Sequence, residues 1–213
     1  MEEFAALLPP LLDGLWMTSR ITAGAAVLAI PLALAAGLAR LSTCRAISVV
    51  ALVYIETFRG TSALVQLFWF YYVLPLFGLK LPAVTVGIVV LAANAGAYGA
   101  EVVRGAILAV APGQREAAVA LNMSSAKILR RIVLPQAFPA MLPPAGNLLI
   151  ELLKNTALVS LITITDLTFR GQMLRAETLR TTEIFLMLLL LYFAVALVIT
   201  AGIRLLERRF RVR

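Results

Sequence analysis

The chain has 213 residues, of which 62% are hydrophobic and only 14% charged. Its mean hydropathy is +0.95, and since soluble domains average about 25% charged residues, a soluble fold is excluded. The net charge of +8 does not mark a nucleic-acid binder, because the basic residues lie in loops and at the tail, where membrane topology puts them. No histidine, one cysteine (Cys44) and no GxxxxGK phosphate loop leave nothing for His-based catalysis, a disulfide, a multi-cysteine metal site or an ATP cradle. The sequence therefore predicts no catalytic residue, no metal and no cofactor bound by this chain.

The first residues, Met1-Glu2-Glu3-Phe4, are acidic where a secretory signal would be basic, so the first span is expected to be retained. Five hydrophobic segments follow, predicting an all-α integral membrane protein with one transmembrane domain over 1–213. The first covers about 15–39; residues 21–39 carry no charge, and about 20 residues suffice to cross the hydrocarbon. Trp16 and Arg20 read as interface anchors. The second covers about 46–79, longer than a straight crossing needs, which predicts tilt or a break near Gly60. Its far end, Phe68 to Tyr72, is an interfacial aromatic belt or a pathway lining. The third covers about 82–103, where Ala92, Gly96 and Ala100 make a small-residue stripe for close helix packing. The fourth covers about 137–165, and Pro135, Pro139, Pro143 and Pro144 predict a curved or broken start. The fifth covers about 184–203, followed by Arg204, Arg208, Arg209, Arg211 and Arg213, relieved only by Glu207.

Between the third and fourth spans lies a polar loop, 112–135. Arg115, Glu116, Lys127, Arg130 and Arg131 carry too much charge for a span, at roughly 2.5–3.5 kcal/mol per central charge. The spacing predicts two short helices instead. Pro112-Gly113 signals a turn, and Glu116 starts a helix with its acid in the first turn. Asn122 can take the left-handed conformation that ends it. Ser124 is a plausible N-cap for a second helix, with Ile128, Leu129, Ile132 and Val133 on its apolar face, Lys127, Arg130 and Arg131 off it, and Pro135 closing it. Such a helix pair suits docking to a partner, or lies on the lipid surface by its basic residues.

Counting Lys and Arg by side places twelve in the 40–45 turn, the 104–135 region and the tail, against five (Arg20, Lys80, Arg170, Arg175, Arg180) on the other side. The positive-inside rule then puts the N-terminus outside and the C-terminus, with the polar loop, in the cytoplasm. Three acid–base pairs lie in or near spans: Glu56 with Arg59, Glu101 with Arg104, and Glu151 with Lys154. Each is spaced i,i+3, so the partners share a helix face and can neutralise one another. Intramembrane charges mark an aqueous path or the bundle interior; the alternative is a self-satisfied strut between helices.

Glu116-Ala117-Ala118, Asn122, Ile132, Leu134 and Pro135 resemble the cytoplasmic coupling loop of ABC importer permeases, with Asn122 where Gly is usual. The resemblance covers nearly the whole chain. Glu56, Arg59-Gly60-Thr61, Gln66, Tyr98, Glu101, Arg104, Asn147, Lys154 and Thr156 fall where polar amino-acid uptake permeases show similar residues. Ser62, Asn155 and Ala157 depart from that pattern. The resemblance implies a type I importer permease fold in the bacterial cytoplasmic membrane. It also implies two ABC ATPase subunits that bind ATP-Mg, a second permease (identical or similar), and an extracytoplasmic solute-binding protein. Glu116, Ala117, Ala118, Asn122 and Lys127 would couple to the ATPase, the paired alanines allowing close approach to its groove. The wording of 56–66 and 156–160 is most similar to permeases for ectoine and hydroxyectoine. A small zwitterion needs a donor and an acceptor close together. Glu151 and Lys154 offer both, with Asn147 one turn earlier and Asn94 and Tyr98 across the bundle. Asn94, Tyr98, Glu101, Asn147, Glu151 and Lys154 are therefore the expected pathway, as solute ligands or as gate residues only. An ion-gradient-driven secondary transporter or channel subunit is the alternative; its folds often carry internal inverted repeats, and none is visible here.

Overall fold

The computed structural model describes residues 2–210, with side chains from Leu7 onward. Arg211 and Arg213 of the basic tail, and Met1, lie outside the described residues. The described chain is helical, without a strand. Helix α1 spans Glu2–Arg40 and starts well before the expected 15. Leu7 and Leu11 explain the added turns. Spaced i,i+4, they bury a stripe against Leu167, Ile184 and Leu188, which repays continuing the helix through Pro9 and Pro10.

The second expected span breaks instead of tilting through. Helix α2 (Arg45–Gly60) stops at Thr61, and α3 (Ala63–Phe68) continues as a π-turn (Trp69–Val73) and a 3-10 turn (Leu74–Phe77). The two pieces meet at 103°. Helix α4 (Ala83–Leu108) runs five residues past its expected end, carried by the neutralised Glu101–Arg104 pair. The small-residue stripe seats α4 along α1, its most extensive partner. A Cβ at Gly99 would lie 2.7 Å from Ala33 Cβ, and one at Gly96 would lie 2.9 Å from both Leu32 Cβ and the Tyr54 hydroxyl. Glycine is required at both for the helices to touch.

After α5 (Pro112–Ala120), the chain from α6 (Ser125–Ile128) to α7 (Leu134–Asn155) stays helical, so Pro135 does not end the second loop helix as expected. A π-turn at Leu129–Val133 absorbs it, the Leu134 N–H reaching back to Leu129. Proline removes one ladder donor and crowds the carbonyl four residues back, and the wider turn relieves both. Helix α7 passes into a 3-10 turn (Thr156–Ile162) that stops at Thr163, φ 70°. Helix α8 (Leu167–Thr178) was not expected, and α9 (Thr181–Phe210) starts three residues early.

Four helices are long and apolar enough to cross a bilayer: Leu7–Arg40, Ala83–Leu108, Ser125–Ile162 and Thr181–Phe210. The bent pair Arg45–Gly60 and Ala63–Phe77 makes a fifth if it counts as one span. Two ends are distinguishable. At one, Leu41 and α5 share a cluster with Ile128, Val133 and Ala137, and Phe210 stacks on Phe138 at 5.0 Å between ring centroids. At the other, α8 packs between α1 and α9.

Candidate coupling loop and translocation face

Proline at the first helical position starts α5 directly, so Pro112-Gly113 opens the helix rather than preceding it. Glu116 therefore sits in the second turn, beyond the reach expected for the helix dipole. The C-terminus closes as a Schellman motif. Asn122 is left-handed at φ 58°, its N–H donates to Val119 O at 2.8 Å, and the Met123 N–H donates to Ala118 O at 3.1 Å. Ser124 occupies the N-cap of α6 but makes no side-chain cap bond. Glu116, Ala117, Asn122 and Lys127 are exposed, whereas Ala118 is buried against the loop's own core. Consecutive helical residues point about 100° apart, so only one alanine of the pair can face a partner.

Of the three expected ion pairs, one forms. Arg104 donates to Glu101 Oε2 through Nη2 at 2.8 Å and Nε at 3.0 Å. Glu56 and Arg59 do not pair; the Arg59 guanidinium lies 5.3 Å from the Tyr98 ring centroid, and the Tyr98 hydroxyl donates to Arg59 O at 3.4 Å. The face of Tyr98 offers a cation at the end of α2 a ready partner. Glu151 and Lys154 also stay apart, both exposed on α7. The i,i+3 spacing permits such a pair without compelling it.

Asn94, Tyr98 and Glu151 line one crevice between α4 and α7, together with Asn155. Its volume is about 10 Å³, room for about one water and far too small for an amino acid. Asn147 and Lys154 share α7's exposed face with Glu151 outside that crevice, and Glu101 is held by Arg104. The structure thus gathers three of the six residues expected to line a pathway.

Two polar clusters were not legible as clusters in the sequence, although Thr61, Gln66 and Asn94 of the first stood out individually. At the α2–α3 break, the Gln66 side-chain amide donates to Phe58 O at 2.9 Å and to the Thr61 hydroxyl at 2.7 Å. Asn94 donates to Phe58 O at 3.0 Å and to Gln66 Oε1 at 3.2 Å. At the opposite end of the bundle from α5, fully buried Asp166 caps α8, accepting from the Phe169 N–H at 3.0 Å and the Thr168 N–H at 3.2 Å. The Tyr192 hydroxyl reaches the same carboxylate at 3.4 Å, and the Leu167 N–H donates to the Thr18 hydroxyl at 3.1 Å, tying α8 to α9 and α1. Burial pushes the Asp166 carboxyl up to about 6, against the lowering effect of its hydrogen bonds. An Asp ahead of Leu-Thr-Phe was a readable N-cap signal. The aromatic run also acquires specific roles: the Tyr71 hydroxyl meets that of Thr163 at 3.0 Å, and Tyr72 donates to Leu161 O at 3.3 Å.

Residues 29–212 match the family described as the binding-protein-dependent transport system inner membrane component. The chain is 47% identical over 206 residues to a probable amino-acid ABC transporter permease protein of Sinorhizobium fredii (strain NBRC 101917 / NGR234), covering 94% of this chain and 87% of that protein. It is 37% identical over 207 residues to the glutamine transport system permease protein of Escherichia coli (strain K12), covering 96% and 94%. Its fold is similar to the crystal structure of an amino acid ABC transporter with histidines, with a TM-score of 0.90 and 38% identity over 97% of each chain.

Proposed function

Because the chain belongs to this family of binding-protein-dependent permeases, and is thereby a permease subunit of an ABC amino-acid importer in the bacterial inner membrane, we propose how it is oriented, what grips it and what it carries. The family implies an ATPase and a substrate-binding protein as partners; two ATPase subunits and a second permease complete the proposed assembly. The chain spans five times, N-terminus outside and C-terminus cytoplasmic. The clustering of the α1–α2 turn, α5 and Phe210 at one end, which carries most of the basic residues, supports this.

One observation carries the coupling role: α5 is a short helix locked by its Asn122 turn, with Glu116 and Ala117 outward and Ala118 anchored inward. Such an element transmits displacement instead of absorbing it. When ATP closes the ATPase dimer, α5 moves as a rigid body and drives the spans from inward- to outward-open, and the receptor then delivers solute. Bond chemistry stays with the ATPase. Glu116→Lys reverses the exposed charge and is expected to abolish ATPase co-purification or receptor-stimulated hydrolysis while α5 still folds. Retention of both at wild-type level would overturn the assignment.

The proposed solute is a polar amino acid or amino-acid-like zwitterion, more narrowly ectoine or hydroxyectoine. Support comes from the wording of 56–66 and from Glu151 and Lys154, an acceptor and a donor on one exposed face of α7. The proposed pathway runs along Tyr98, Glu101, Asn147, Glu151 and Lys154, with Asn94 in its wall. Thermal shift of the cognate receptor with ectoine, hydroxyectoine and glutamine tests the solute; stabilisation by glutamine alone would exclude ectoine. The ion-gradient alternative finds no support among the relatives, which are ABC permeases.

A further inference from the structure

Helix α2 has 16 residues, about 24 Å at 1.5 Å per residue, against a hydrocarbon core of about 30 Å. Its carbonyl end, at the break before α3, has no following turn to satisfy it. Three successive carbonyls there each receive a side-chain donor: Thr57 O from the Thr61 hydroxyl at 2.7 Å, Phe58 O from Gln66 and Asn94 at 2.9 and 3.0 Å, and Arg59 O from Tyr98 at 3.4 Å. Gln66 and Asn94 are both buried. Both amide hydrogens of Asn94 are committed, one to Phe58 O and one to Gln66 Oε1.

We propose that Gln66 and Asn94 form a latch that holds the 103° break between α2 and α3 closed on the Phe58 carbonyl, and that both are positioning residues for transport. Asn94 then shapes the pathway wall through this bond instead of binding solute. The latch joins three elements (α2, α3 and α4) at one oxygen, and α4 leads directly to α5, so the coupling helix and the break are linked through a rigid rod. Two donors at one carbonyl make a discrete closed state that a driven α4 can pull open, which is what a hinge in an alternating-access cycle requires.

This inference rests on the transport reading, and the test separates the two. The full chain with its ATPase, in lipid nanodiscs, is compared with the shape-conserving variants Gln66→Met and Asn94→Leu, their double variant, and the milder Thr61→Val. Hydrogen exchange at 58–66 needs no solute; each latch variant is expected to raise it at least about fivefold, the worth of a single hydrogen bond, since each removes more than one, with α8 unchanged. Receptor-stimulated ATP hydrolysis should fall alike in both single variants, and the double variant should be no lower than the worse single, because both act on one oxygen. If both single variants fail to fold, Thr61→Val decides, with a smaller rise at 58–66 expected and none overturning the latch. A loss of stimulation with Asn94→Leu alone, while Gln66→Met matches wild type in both readouts, would make Asn94 a solute residue and overturn the proposal. A wild-type complex whose hydrolysis ignores the receptor would sink the transport reading, leaving the exchange result to stand for the latch as a structural feature only.

Discussion

Replacing Gly99 by alanine tests the packing on which the bundle rests. The new methyl would stand 2.7 Å from Ala33 Cβ, about 1 Å inside the 3.5–4.0 Å of ordinary carbon contact. Both atoms are first side-chain atoms, so no rotamer relieves the clash and α1 must move off α4. Overpacking of this kind costs about 1–3 kcal/mol, and at roughly 2–4 °C per kcal/mol for a chain of this length the melting temperature should fall by several degrees. The assay is thermal unfolding of the complex in nanodiscs. Ala33→Gly removes the opposing methyl, so the double variant should regain most of the loss. Gly105, on the same helix with nothing within 4 Å of an added Cβ, is the control, and Gly105→Ala should be neutral or slightly stabilising. A Gly99→Ala melt indistinguishable from wild type, or no recovery in the double variant, would refute the close approach of α1 and α4.

Asn122 is left-handed, so Asn122→Gly should keep α5 protected from hydrogen exchange, whereas Asn122→Val should cost about 1–2 kcal/mol and loosen α5 with reduced ATPase co-purification. Glu151→Gln should lower solute-dependent ATP hydrolysis with the ATPase still bound; unchanged solute dependence would remove Glu151 from the pathway. Asp166, ordinarily near 3.8 and pushed to about 6 when folded, gives a pH signature. Between those values the native chain holds a proton the unfolded chain has lost, so stability falls as pH rises through that window and levels off above it. Melting at pH 5 should exceed that at pH 7.5, and Asp166→Asn should flatten the difference; the reverse order in wild type would contradict the burial effect.

The class of protein was legible because bilayer partition depends on apolarity summed along a segment, and turn chemistry depends on a few adjacent residues. The four long apolar helices, the break at Gly60 and the left-handed Asn122 are all local properties. Helix α8 escaped notice because it is too short and polar to span. Charge pairing was over-read, since spacing shows which partners can meet but not which competitor stands nearer; Tyr98 took Arg59 from Glu56. The Asn94 bond at Phe58 and the Leu167–Thr18 bond beside Asp166 join residues 36 and 149 positions apart. No local pattern specifies such contacts. Only the packed bundle brings those donors to those acceptors, because a polar group buried by packing must find whatever partner the fold places beside it.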